Sequence, residues 1–253
     1  MTYRRFVALG DSTTEGLMDP NPDGSFRGWA DRLAERLSAD EPELRYANLA
    51  VRGKVAREVL EEQLEPALAL EPDLASVLSG LNDMLRRNCS VPTVIGHLDT
   101  LIGGLRESGA DVLAFTLPDP VPINPVAKGA ANRLRNLNLA VRDLAEKHGA
   151  VLVDLEAHAV ASDRRLWHLD RLHANPEGHE RIAHAAAEAL GLEGADSTWT
   201  TAFDDPLGPH TRISHAIWAG KYFAPWLVRR MRGVSSGDGI TAKRPTLEPV
   251  RGS

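Results

Sequence analysis

Four short stretches of the chain hold the residue types that acyl transfer needs. They are Gly10-Asp11-Ser12 near the N-terminus, Asn48 to Gly53, Gly80-Leu81-Asn82-Asp83, and Asp170-Arg171-Leu172-His173. A serine hydroxyl is almost wholly protonated at neutral pH, so Ser12 needs a base before it can attack a carbonyl. An imidazole titrates near neutral pH and can take that proton and later return it, which makes His173 the natural base. The other ring nitrogen of such a histidine needs an acceptor that fixes its tautomer. Asp170, three residues earlier, can reach the ring from one turn of chain. Attack creates a negative oxygen that must be met by preorganised donors. The backbone N–H groups of Ser12 and Gly53 and the side-chain amide of Asn82 are the candidates. The candidate catalytic residues are therefore Ser12, Asp170 and His173, and the candidate oxyanion donors are Ser12, Gly53 and Asn82.

Each residue also has a plainer role. Ser12 can cap a helix after a strand, Asp170 can cap a turn, Gly53 can be a turn glycine and Asn82 can close an Asx turn. Taken singly these suffice; taken together they leave the order of the four stretches unexplained. Asp11 and Asp83 read as structural, accepting backbone N–H bonds that hold their loops. His179 and His184 suggest a metal pair, but a spacing of i, i+5 puts them about 140° apart on a helix, whereas a zinc helix needs i, i+4. No metal and no cofactor are implied. Gly10 to Gly16 lacks the Lys-Ser/Thr of a phosphate loop, and Ser12 lacks the Gly-x-Ser-x-Gly elbow. Arg86 and Arg87 beside Cys89 could lower its thiol pKa, although a plain thiol is the simpler reading.

The elements that must position these groups are readable from apolar periodicity. Phe6–Leu9, Leu74–Leu78, Val112–Phe115 and Val151–Val153 are brief continuous apolar runs, as strands buried on both faces would be, and Leu44–Leu49 is a weaker fifth. Helical stripes lie between them: Trp29, Leu33 and Leu37; Val55, Val59, Leu60 and Leu64; Val94, Leu98, Leu101 and Leu105; Leu134, Leu137, Val141 and Leu144 in a helix ending at Gly149. A last helix starts at Asn175, with Pro176 at its first position, and turns Ile182, Ala186, Ala189 and Leu190 inward. This alternation predicts a doubly wound parallel sheet. Each of the four chemical stretches follows a strand or precedes the last helix, where such sheets bind ligands.

On these residues the chain resembles the SGNH, or GDSL-type, hydrolases over residues 5 to about 190. Gly10-Asp11-Ser12, Gly53, Gly80-x-Asn82-Asp83 and Asp170-x-x-His173 stand in the family's order. Thr13 stands where the family name has Leu, at a position that takes no part in the chemistry. The resemblance implies a three-layer α/β/α sandwich with a five-stranded parallel sheet of flavodoxin-like type. It also implies carboxylic ester hydrolysis through an acyl-serine, with Asp170 orienting His173, on a small-molecule or lipid ester. Acyl transfer to another acceptor and carbohydrate deacetylation use the same scaffold. A non-catalytic binding or assembly module built on the C-terminal helix is the reading from another class, and the intact Ser, Gly, Asn and His set argues against it.

The end of the chain has a different composition. Six of the 13 aromatics (Trp199, Phe203, Trp218, Tyr222, Phe223 and Trp226) fall in the last 55 residues. Residues 196–253 carry eight Lys/Arg against five Asp/Glu, while the whole chain has net charge −6. The expected organisation is a catalytic domain over residues 1–195 and an α-rich, basic extension over 196–253. Trp218, Tyr222 and Trp226 lie at i, i+4, i+8 on one helical face that Pro225 should kink, followed by Arg229, Arg230 and Arg232. Packing on the catalytic domain is the first reading of this helix. An oligomer contact comes second, and peripheral membrane contact through residues 213–232 is not favoured. Ser235–Gly239 reads as flexible and the stretch around Pro245 and Pro249 as an extended tail. The oligomeric state stays open. The net charge gives no footprint for nucleic acid, and no apolar run reaches membrane-spanning length, so a cytoplasmic location is expected. The loop Leu117–Pro125, with four prolines, is stiff and should edge the site.

Overall fold

The structure, a computed structural model, describes residues 2–86, 88–208, 211–232 and 234–250, without the side chains of residues 212 and 229–231. All five apolar runs are strands: β1 (Arg5–Gly10), β2 (Arg45–Asn48), β3 (Leu74–Leu78), β4 (Asp111–Phe115) and β5 (Val151–Val153). They pair in parallel in the order β5-β4-β3-β1-β2. Between and after them, among the described residues, come nine α-helical segments: α1 (Ser12–Glu15), α2 (Gly28–Asp40), α3 (Ala56–Ala69), α4 (Leu81–Met84), α5 (Val91–Glu107), α6 (Ala131–His148), α7 (Pro176–Ala189), α8 (Arg212–Trp218) and α9 (Ala224–Met231).

Alternation along β1 divides the interior. Val7 and Leu9 join one core with residues of α3, α5 and α6, and Phe6 and Ala8 join the other with residues of α2 and α7. This is the expected three-layer sandwich. Trp29 of α2 is fully buried and meets Phe115 with ring centroids 4.7 Å apart; truncating such a residue to Ala typically costs about 3–5 kcal/mol. The ends of the helices follow local signals. Gly149 caps α6 in the left-handed conformation, and the Asn175 side chain accepts the Gly178 N–H at the start of α7.

The five-stranded, all-parallel expectation needs one correction. A sixth strand, β6 (Arg244–Pro249), pairs antiparallel with β2. Without it β2 would leave a row of unpaired N–H and C=O groups at the sheet edge. Pro245 and Pro249 are compatible with this strand because an outermost strand needs no donors on its outer side. The tail read as simply extended is thus part of the sheet. Lys243, just before β6, donates from its buried ammonium to the Phe26 and Arg27 carbonyls (2.9 and 2.7 Å) and pairs with Asp31 at 2.9 Å.

The C-terminal helix also departs from expectation. A π-helical turn, Ala219–Phe223, joins α8 to α9, and the Ala224 N–H donates to the Ala219 carbonyl. Pro225 follows at once; it has no N–H, and its ring excludes the carbonyl four residues back. The extra residue in the turn shifts the aromatic stripe. Trp218 stacks on Phe223 (5.3 Å) and Phe223 on Trp226 (5.8 Å), while Tyr222 turns to meet His168 edge-on at 5.9 Å. The side chains of Arg229 and Arg230 lie outside the described residues. Among the described residues no helix is long and apolar enough to cross a membrane.

Candidate active site

The nucleophile candidate stands where β1 ends. Gly10 takes a φ of +152°, and a Cβ there would run into the Leu78 carbonyl and come within 2.7 Å of the Thr14 hydroxyl. Only glycine lets the chain turn this tightly against β3. Asp11 then caps α1 by accepting the Thr13 N–H, and Ser12 is the first residue of that single turn. Its Oγ lies 3.0 Å from His173 Nε2.

His173 sits in a tight turn closed by the His168 N–H donating to the His173 carbonyl. Asp170 uses both carboxylate oxygens. Oδ1 accepts the N–H groups of Leu172 and His173 (2.9 and 3.1 Å), and Oδ2 lies 2.8 Å from His173 Nδ1. Burial disfavours the Asp170 charge, but the hydrogen bonds and the positive imidazole outweigh it and hold the carboxyl at about 2. Arg171, between them, has φ +60°, a left-handed conformation that non-glycine residues rarely adopt. Ser12, His173 and Asp170 therefore form one hydrogen-bonded line that can move a proton off Oγ.

Asn82, in α4 just beyond β3, donates its amide to the Lys54 carbonyl at 2.9 Å and to Asp11 Oδ2 at 3.3 Å. It is thereby held beside the residue preceding Ser12, and would reach a substrate oxygen by sharing one of these N–H groups. Burial pushes the Asp11 carboxyl up to about 7, against the Thr13 N–H and the His173 charge. Asp83 accepts the Ala56 N–H at 2.9 Å, which ties α4 to the start of α3. Gly53, with φ +77°, flanks the same cleft as Ser12 and Asn82. The loop before it is fixed by the buried Glu15 carboxylate, which accepts the Arg52 N–H at 2.8 Å and pairs with its guanidinium.

These groups open onto a cleft of about 1320 Å³. The proline-rich loop contributes Pro118, Pro120 and Ile123 to its wall, as expected from its position. The extension contributes Trp218, Tyr222, Phe223 and Trp226. Two of its contacts reach the candidate residues themselves. Trp218 Nε1 donates to the Asp170 carbonyl at 2.8 Å. The turn at Ser235–Gly237 closes on the Gly53 loop so tightly that a Cβ on Gly53 would come 2.5 Å from Ser235 Oγ. The sequence reading of the extension foresaw neither contact, and it did not foresee the Glu15–Arg52 pair. Arg52 and Glu15 carry no local signal of pairing; a buried acid in the turn after the serine was the one available hint.

The remaining candidates are accounted for elsewhere. His179 is buried, accepting the Trp29 N–H at Nδ1 (3.2 Å) with Nε2 2.9 Å from the Leu17 carbonyl. Burial lowers it to about 4, and it joins α7 to α2. His184 pairs with Glu180. Burial raises the Cys89 thiol, and Arg87 lies outside the described residues.

Residues 8–181 match the sequence profile described as the GDSL-like Lipase/Acylhydrolase family. An acetylxylan esterase of Geobacillus stearothermophilus is 26% identical over 208 residues, which is 75% of this chain and 94% of that protein. Among solved structures, LAE5, an alpha/beta hydrolase enzyme from the metagenome of Lake Arreo in Spain, is similar with a TM-score of 0.61. It is 26% identical and the match covers 74% of this chain and 95% of that one. A variant of the acetyl xylan esterase Axe2 from Geobacillus stearothermophilus matches with a TM-score of 0.63 at 19% identity, over 78% of this chain and 98% of that one.

Proposed function

Because the chain belongs to the GDSL-like lipase/acylhydrolase family and is a serine ester hydrolase, we propose that it acts through an acyl-Ser12 intermediate. Ser12 Oγ attacks the ester carbonyl carbon while its proton passes to His173 Nε2. The carbonyl oxygen becomes an oxyanion held by the N–H groups of Ser12 and Gly53 and the Asn82 amide. The intermediate collapses, the C–O bond breaks, and His173 gives its proton to the leaving alcohol. Water then attacks the acyl-serine with His173 as base, and the acid leaves. Asp170 stays ionised throughout and stabilises the imidazolium. The observation that carries this reading is the line Ser12–His173–Asp170 at 3.0 and 2.8 Å. A fluorophosphonate probe should label the wild-type protein and not Ser12→Ala; undiminished labelling of that variant overturns the mechanism.

The substrate part of the proposal is a carboxylic ester of a small molecule or lipid whose acyl or alcohol group lies against the apolar cleft wall. The likeness to an acetylxylan esterase favours a second reading, removal of acetyl groups from a carbohydrate. A chain-length series of model esters separates them: a preference for acetyl supports deacetylation, and a rise with chain length supports the apolar ester. The proposed division keeps the reacting groups in residues 1–195 and an appended unit in 196–253. The proposed location is cytoplasmic, supported by the single cysteine.

A further inference from the structure

We propose that the C-terminal helix is a positioning latch: Trp218, with Arg171, holds the strained turn that aims His173 at Ser12. This rests on the acyl-serine reading above and adds to it a residue far from the motif residues in sequence.

The turn has a built-in cost. A non-glycine residue in the left-handed region is strained, and persists only where its surroundings hold it. Arg171 is such a residue, and its conformation lets Asp170 Oδ1 collect two N–H groups while Oδ2 meets the ring. What holds it comes from outside the turn. The Arg171 side chain is buried, 8% exposed, with its guanidinium 4.9 Å from the centre of the Trp218 ring. It also lies 3.0 Å from His215 Nδ1 and donates to the Ser214 carbonyl at 3.3 Å. The indole N–H of Trp218 meanwhile reaches the main-chain carbonyl of Asp170. One side chain of the helix therefore grips two consecutive residues of the turn, one by a hydrogen bond and one by a cation–π contact.

The π-helical turn explains how Trp218 is kept in place. In an uninterrupted α-helix residues 218 and 223 point about 140° apart. The extra residue brings Phe223 directly behind Trp218, and Trp226 behind Phe223, so the gripping ring is backed by two others. Tyr222, displaced from that stack, meets His168 at the other end of the turn. Neither Trp218 nor Arg171 has a role in bond making; both act through Asp170 and His173.

The test is Trp218→Phe, which keeps a ring for Arg171 and Phe223 but removes the indole N–H, with Arg171→Lys as a second, independently made variant. Small displacements of catalytic groups carry large rate costs. Each variant should lose about tenfold in kcat with KM within twofold of wild type, and react with a fluorophosphonate about tenfold more slowly. Melting temperatures should stay close to wild type, so that the rate loss is not a loss of folded protein. Wild-type protein that is not labelled overturns the acyl-serine reading itself. Labelled wild type with both variants reacting at the same rate overturns the latch alone, as does a kcat loss that merely follows a fall in melting temperature.

Discussion

The two regions that face each other across the cleft are built by different rules. In the α/β/α layers each candidate reactive group stands at the end of an element fixed by apolar burial. Ser12 follows β1, Asn82 follows β3, and the Asp170–His173 turn leads into α7. The extension is held by polar and aromatic contacts and by the edge ladder: Trp218 to the Asp170 carbonyl, Arg165 and Arg181 over the Phe203 ring at 4.1 and 4.6 Å, Lys243 to two carbonyls of the α2 approach, and β6 to β2. On the proposed reading the first region supplies chemistry and the second supplies placement. Damage to the first should abolish turnover, and damage to the second should grade it.

The sharpest break in that comparison comes from the reacting groups. Ser12→Ala and His173→Ala should each lower kcat by about 10⁴-fold or more on a chromogenic ester. Asn82→Ala should cost about 10²- to 10³-fold, the usual effect of losing one oxyanion donor; a loss under threefold would remove Asn82 from the hole. Below these stands the tenfold effect expected of the latch variants. If Trp218→Phe proved as damaging as Ser12→Ala, the division between chemistry and placement would fail. Lys243→Met should leave kcat near wild type and destabilise the fold, because it strips Asp31 of its ion-pair partner. The pair is partly exposed, so the cost should be about 1–3 kcal/mol, read by urea denaturation.

The last effect is a pH slope. The Asp11 carboxyl is raised to about 7 from 3.8 by burial, so between those values the folded protein holds a proton that the unfolded chain has shed. Stability contributed by this group is full below about pH 4 and falls as pH rises through 7. Asp170, lowered to about 2, acts in the opposite sense: its contribution is present above about pH 4 and is lost towards pH 2. Denaturation of Asp11→Asn at pH 5 and pH 8 should show a flatter profile than wild type, and an unchanged slope would assign the effect elsewhere.

What was legible in the sequence follows the same boundary. Continuous apolar runs between turn signals marked four of the parallel strands, because burial on both faces demands such runs, while β2, interrupted by Arg45 and Asn48, showed only weakly. Asn175-Pro176 marked the start of α7, because capping is local. The candidate residues could be picked out because each lies beside such an element. The sixth strand was not, since an edge strand carrying two prolines has neither apolar continuity nor alternation. Trp218 was placed on a helical face, but a three-and-a-half-residue period cannot foresee a π turn, and nothing in an indole side chain names the carbonyl it will meet. The pairing of Glu15 with Arg52 was hidden for the same reason: it joins two loops whose proximity exists only after β1 and β2 pair.

Lys243 belongs to a chain of polar contacts that crosses the molecule. Asp31 accepts from both Lys243 and the Tyr46 hydroxyl (2.9 and 2.8 Å), and Asn48 donates to Tyr46 Oη and to the Thr14 carbonyl, each at 2.8 Å, two residues from Ser12. The order of manufacture gives this arrangement a consequence. A ribosome adding about 5–20 residues per second finishes His173 roughly 4–14 s before it reaches β6. For the first part of that interval the nascent chain has its candidate reacting groups but not Trp218, and until its end it lacks the Lys243 ammonium that completes the network. On the proposed latch, hydrolysis is therefore expected to reach its full rate only after Trp218 has been made, later than the candidate reacting residues themselves.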